Sequence, residues 1–174
     1  IMKLGDKSIQ SEDRLVRVYP EKNLFSHIIG QIDDNNNGIS GIEKSFDDKL
    51  KVSTKPITLS LDKDIQYLIR NELIKFNEIF TTKGSSAILM NVNNGEIFSL
   101  VSLPDFNPNK REKIFDKNYI NRATKGVYEF GSVFKTFTIA AAFEEKIIEP
   151  ETKFTDLPKS LTCAGFPIRE YDNK

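Results

Sequence analysis

The sequence predicts an α+β fold. Asn93-Asn94-Gly95 sits between two β-prone runs, the signature of an antiparallel hairpin. Asp62 opens a helical pattern, with apolar residues at Ile65, Leu68, Ile69, Leu73 and Phe76. A second, strongly apolar helix is predicted over residues 132–146, around Thr136-Phe-Thr-Ile-Ala-Ala-Ala-Phe143.

In chain order, residues 14–19 alternate loosely as a β-like run that Pro20 stops. Leu24, Phe25, Ile28, Ile29 and Ile32 give a mixed, helix-like pattern. Asp33-Asp-Asn-Asn-Asn37 before Gly38 reads as a turn. Ile42, Phe46 and Leu50 share one face of a short helix. Residues 51–55 are a polar break before Pro56, and the domain boundary is placed there, giving 1–50 and 51–174. Residues 57–61 alternate as a short strand leading into the helix capped by Asp62. The hairpin strands are expected over 86–92 and 96–102, and residues 104–119, rich in Pro and Asn, read as irregular. A helix as apolar as that over 132–146 is expected to be buried at the centre of a domain.

The 174 residues carry 25 basic and 25 acidic side chains, so charge gives no reason for nucleic-acid or anionic-membrane binding. A single Cys excludes an internal disulfide framework and a Cys-based zinc site. No apolar run approaches the ~20 residues that span a bilayer. The chain opens without Met and reads as a piece of a longer protein.

Ser132-Val-Phe-Lys135 is the motif with chemistry in it. On a helix, positions i and i+3 share a face, so the Lys amine can reach the Ser hydroxyl. That hydroxyl is a weak nucleophile until a base takes its proton, and burial with the positive end of a helix is what frees a Lys to do so. The same helix start turns backbone N–H groups toward a developing oxyanion. The four-residue pattern alone is weak and occurs a second time, at Ser60-Leu-Asp-Lys63, where it straddles a strand-to-helix junction and is rejected.

The wider context carries more. Arg17-Val-Tyr-Pro20, His27-Ile-Ile-Gly30 and Gly38-Ile-Ser-Gly-Ile-Glu43 with Phe46-Asp47 resemble the end of the N-terminal pedestal module of class B penicillin-binding proteins. Leu59-Ser-Leu-Asp-Lys-Asp-Ile-Gln66 resembles the opening of their transpeptidase domain. Asn91-Val-Asn-Asn-Gly-Glu-Ile97 and Ser102-Leu-Pro-Asp-Phe-Asn-Pro-Asn109 resemble its first hairpin and exit. Asn121-Arg-Ala123 and Tyr128-Glu-Phe-Gly-Ser-Val-Phe-Lys-Thr-Phe-Thr138 are similar to the active-site helix, with Phe130 where the family often has Pro. The resemblance is greatest to the septal peptidoglycan D,D-transpeptidases of cell division.

The resemblance implies a two-domain piece: 1–50 from the pedestal, and 51–174 from the first part of a transpeptidase domain with an antiparallel sheet. It implies Ser132 as nucleophile and Lys135 as base, acting on the D-Ala-D-Ala end of peptidoglycan stem peptides, with β-lactams as inhibitors and no metal or organic cofactor. It further implies a membrane glycosyltransferase and divisome proteins as partners, at the periplasmic face of the bacterial inner membrane. The family's Ser-x-Asn and Lys-Thr/Ser-Gly motifs do not follow Lys135, which is expected of a chain that stops before them and would leave the apolar helix poorly covered. Two other classes stay open. A class D-like serine β-lactamase would hydrolyse penicillin rapidly, and a non-enzymatic module of the same fold would lack the downstream motifs in its full reading frame.

The remaining reactive residues have plainer readings. His27 is a packed or surface His, Cys163 a spectator thiol in a loop, and Asp33-Asp34 a solvated turn without the calcium-loop spacing. Arg122 and Glu129 read as a structural ion pair or cap near the helix start.

Overall fold

The computed structural model describes residues 13, 15–110, 117–155 and 157–169. The chain divides into two compact units between Val127 and Tyr128.

The first unit is built on the predicted hairpin. Strands β1 (Ser85–Met90) and β2 (Ile97–Leu103) run antiparallel, with Ser85 opposite Leu103 and Leu89 opposite Ser99. The register shifts between Leu89 and Met90, next to the turn at Gly95, where φ is +77°. Residues 99–103 of β2 are all buried. Successive strand residues point to opposite faces, so both faces of β2 are covered. One cover is helix α4 (Lys63–Phe80), whose N-cap Asp62 accepts from the Ile65 amide at 2.9 Å. Other cover comes from α1 (Ser26–Ile29) and α5 (Arg122–Lys125).

The apolar stripe read in α4 is met in part: Ile65, Ile69 and Leu73 are half-buried. Leu68 and Phe76 are exposed, whereas Gln66 is 1% exposed. The Gln66 amide makes four hydrogen bonds to groups around it. Nε2 donates to the Leu24 and Leu100 carbonyls, both at 2.9 Å, and Oε1 accepts from Ser99 Oγ at 2.7 Å and the Leu100 amide at 3.0 Å. Three stretches of chain meet on one side chain.

The segment before α1 and the loop after β2 are bound to each other. Asn109 bonds both the amide and the carbonyl of Tyr19, at 2.9 and 2.8 Å. Asp105 takes Asn23 Nδ2 on one oxygen at 2.9 Å and Arg70 Nε on the other at 2.6 Å. The peptide Leu103–Pro104 is cis. Residues on both sides of position 50 therefore pack together in one unit.

Helices α2 (Gly41–Ser45) and α3 (Asp47–Val52) replace the single short helix expected there, parting at Phe46. Two glycines let their chain cross α1. A Cβ on Gly30 (φ +81°) would lie 2.0 Å from the Ser40 carbonyl oxygen, and one on Gly41 (φ +57°) would lie 2.4 Å from that of Ile28. Asp33 closes its predicted turn by accepting from the Asn35 and Asn37 amides, both at 2.8 Å.

Several expectations are corrected. Residues 15–19 form no strand, and Leu15, Val16 and Val18 are exposed. Residues 57–61 also form no strand. Ser60 Oγ donates to the Ile97 carbonyl (2.8 Å) and the Asp62 amide to that of Phe98 (2.9 Å) at the start of β2, where the chain turns into α4. Residues 111–116 of the stretch expected to be irregular lie outside the described residues.

The second unit holds a 3₁₀ turn (Gly131–Phe134) running into helix α6 (Lys135–Glu144). It also holds an unforeseen hairpin, β3 (Ser160–Cys163) with β4 (Phe166–Arg169), turning through Ala164 and Gly165, both at positive φ. The expectation of a buried helix is not met. Val133, Phe134, Phe137, Ile139 and Phe143 are all exposed, because no described part of this unit lies over them. That matches the other expectation, of a helix poorly covered in a piece of its domain.

Candidate active site

Ser132 and Lys135 fall in one turn of helical chain. Gly131, at φ +55°, makes the bend that starts it. Ser132 occupies the 3₁₀ turn and Lys135 is the first residue of α6, its amide bonded to the Ser132 carbonyl. Side chains at i and i+3 of a 3₁₀ turn eclipse, which puts the hydroxyl and the amine on the same side. The first amides of a helical path have no acceptor within it, so this is where N–H groups remain to meet an oxyanion. Both residues are exposed. On the same stretch, the rings of Phe134 and Phe137 lie 5.6 Å apart.

The second Ser-x-x-Lys match has other work. Ser60 Oγ is bonded to Ile97, and Lys63 Nζ lies 2.6 Å from Glu21 Oε1. Arg122 opens α5, upstream of the Ser132 helix, with its amide accepted by Ser102 Oγ at 2.9 Å and its Nε against Gly84. Glu129 is exposed. Cys163 is exposed at the end of β3 rather than in a loop. Among the described residues, no group of His, Cys, Asp and Glu could hold a metal ion.

His27 is packed. Its Nε2 lies 3.0 Å from the Pro104 carbonyl oxygen, and its ring meets Phe106 edge-on at 5.2 Å. Burial pushes its pKa below the ordinary 6.5, with Arg122 adding to the fall, while the Pro104 bond and Asp105 pull the other way. Glu43, almost fully buried, pairs with Arg17 at 3.2 Å. Two of the three pedestal-like motifs thus meet through an ion pair.

A model of the penicillin binding protein transpeptidase domain matches residues 85–174, more than half of the chain. The chain belongs to this family. It is 34% identical over 158 residues to the Caulobacter vibrioides protein named "Probable peptidoglycan D,D-transpeptidase FtsI", covering 88% of this chain and 27% of that one. It is 34% identical over 170 residues to the Buchnera aphidicola peptidoglycan D,D-transpeptidase FtsI, covering 80% of this chain and 29% of the relative. The chain thus spans under a third of the length of these curated relatives. Among solved structures, penicillin binding protein 3 of Mycobacterium tuberculosis complexed with aztreonam superposes with a TM-score of 0.74 at 24% identity. That match covers 90% of this chain and 37% of the other. The likeness shows the shared fold, mixed helix and antiparallel sheet, as expected from the sequence.

The polar hubs Gln66 and Asp105 were not read as such in the sequence. The signal was present for Gln66, a polar residue inside the Leu59–Gln66 resemblance, one position from the apolar stripe.

Proposed function

We propose that the chain is part of a serine-type peptidoglycan D,D-transpeptidase, with residues 1–50 from the pedestal module and 51–174 from the transpeptidase domain. The observation that carries the reading is the Gly131–Lys135 turn within the family match: a nucleophile and a base three residues apart at a helix start. Names of relatives support the substrate class, and aztreonam in the M. tuberculosis protein supports β-lactams as inhibitors.

In this reading, Ser132 Oγ attacks the carbonyl carbon of the penultimate D-Ala, and its proton passes to the Lys135 amine. Backbone N–H groups at the helix start stabilise the oxyanion. Collapse of the tetrahedral adduct breaks the amide bond, and the terminal D-Ala leaves with that proton on its nitrogen. An amine of a second stem peptide then attacks the Ser132 ester, forms the cross-link and returns a proton to Oγ. The setting is the periplasmic face of the inner membrane, with a membrane glycosyltransferase and divisome proteins as partners.

The test is a transpeptidation assay on the protein extended to the length of its relatives. A stem pentapeptide donor and an acceptor amine should give cross-linked product and free D-Ala, lost in Ser132→Ala. Hydrolysis without cross-linking, or unchanged turnover in Ser132→Ala, would reject the reading.

A further inference from the structure

The same tripeptide occurs twice, as Asn36-Asn37-Gly38 and as Asn93-Asn94-Gly95, and the fold treats the two differently. In an Asn-Gly pair the backbone amide of Gly can attack the Asn side-chain amide, because Gly puts no Cβ in the way. With the local sequence matched, a difference in reactivity between the two pairs comes from the structure.

Asn94 and Gly95 are both exposed at the tip of the β1–β2 hairpin. A Cβ on Gly95 would meet nothing within 4 Å, so this peptide has room to change shape. Asn94 Oδ1 accepts from the Glu96 amide at 3.0 Å, which folds the side chain back over the Gly95 peptide. The same bond polarises the Cγ carbonyl and is placed to hold an oxyanion formed there. Asn94 Nδ2 donates to Glu96 Oε2 at 2.9 Å. The bond that opposes attack is neutral, from the Gly95 amide to the Asn91 carbonyl at 2.8 Å.

Asn37 and Gly38 are pinned. The Gly38 amide donates to Asp47 Oδ1 at 2.9 Å, and a carboxylate against an N–H opposes loss of its proton. Gly38 is bridged to Ile32, and a Cβ on it would overlap the Glu43 carbonyl, so its backbone has no room to move. Asn37 Nδ2 donates to Asp33 Oδ2 at 2.9 Å, and Oδ1 accepts from Lys51 Nζ at 2.7 Å.

We propose that Asn94 is a site of spontaneous deamidation and that the fold shields Asn37 from the same reaction. The Gly95 amide gives its proton to solvent base, and its nitrogen bonds to Asn94 Cγ. The tetrahedral adduct collapses by breaking the Cγ–Nδ2 bond, and Nδ2 leaves as ammonia with a proton from water. The succinimide so formed adds one water. Opening of the bond from Cγ to the ring nitrogen leaves aspartate at position 94. Opening at the other carbonyl leaves isoaspartate, with the chain running through Cβ. Either product sets a carboxylate beside Glu96 where Nδ2 had donated a hydrogen bond, so the turn that joins β1 to β2 loosens as the protein ages. The site is independent of acyl transfer at Ser132.

The test incubates the 174-residue chain in mildly alkaline buffer, folded and in guanidinium chloride, and follows both tripeptides over time by digestion and mass spectrometry. In guanidinium chloride the two sites should react at similar rates. In the folded chain Asn94 should accumulate aspartate and isoaspartate, with Asn37 at least about tenfold slower. Ageing should also lower the guanidinium midpoint of the chain, and Asn94→Gln, which cannot close the five-membered ring, should show no such drift. Equal rates at the two sites in the folded chain, an Asn94 that stays intact while the unfolded chain deamidates, or equal drift in Asn94→Gln would overturn the proposal.

Discussion

Gln66→Leu is the most informative substitution in the fold. The two side chains are of similar size, so the change removes hydrogen bonds and leaves little cavity. Four bonds are lost: to the Leu24 and Leu100 carbonyls, the Leu100 amide and Ser99 Oγ. At about 1 kcal/mol each, the loss is about 4 kcal/mol. The buried partners are left unsatisfied, which pushes the figure up; relaxation toward water pushes it down. Against a total stability of about 5–15 kcal/mol, that is a large share. For a chain of this size it lowers Tm by about 8–16 °C. Urea unfolding followed by circular dichroism measures the change, and hydrogen exchange at the Leu100 amide locates it. A loss under about 1 kcal/mol, or a Leu100 amide as protected as before, would show that Gln66 does not join the three segments.

Further outcomes follow from the same structure. His27 has a folded pKa below 6.5, so the unfolded chain takes up the proton first. Its contribution is complete above about pH 6.5 and is lost as pH falls below it; His27→Gln should flatten that part of the stability profile, and an unchanged slope would refute the assignment. Gly41→Ala should destabilise by about 1–3 kcal/mol, since φ is +57° and a Cβ would meet the Ile28 carbonyl oxygen; a neutral effect in urea unfolding would contradict the close crossing. With α6 exposed as it stands, the 174-residue chain should acylate at least about 10²-fold more slowly than a version extended to the length of its relatives. Equal labelling of the two by fluorescent penicillin would show the chain to be self-sufficient.

The parts of the fold set by local chemistry were legible. Asn93-Asn94-Gly95 makes its hairpin, Asp62 caps its helix, and Asp33 closes its turn. Each depends on residues within a few positions. What failed depends on distant ones. The apolar stripe of α4 placed Ile65, Ile69 and Leu73 inward but missed Gln66, because β2 presents backbone groups and Ser99, which an amide satisfies and a Leu would not. Residues 15–19 have β propensity, yet a strand needs a partner, and a single run does not say whether one exists. The β3–β4 hairpin went unread because Pro167 argues against a strand, although here it sits opposite Thr162 in a two-stranded sheet. At the candidate site, the Ser132–Lys135 spacing at a helix start was readable, whereas the bend at Gly131 and the exposure of the helix were not. An apolar composition states that a surface needs covering, without saying which residues cover it.

The central claim is that Ser132 is the acylated residue. The most direct measurement is peptide mapping by mass spectrometry of the extended protein after reaction with a penicillin. The account predicts one adduct, of the intact antibiotic mass, on the peptide containing Ser132, and none in Ser132→Ala. An adduct on any other residue, or one that persists in Ser132→Ala, would contradict it.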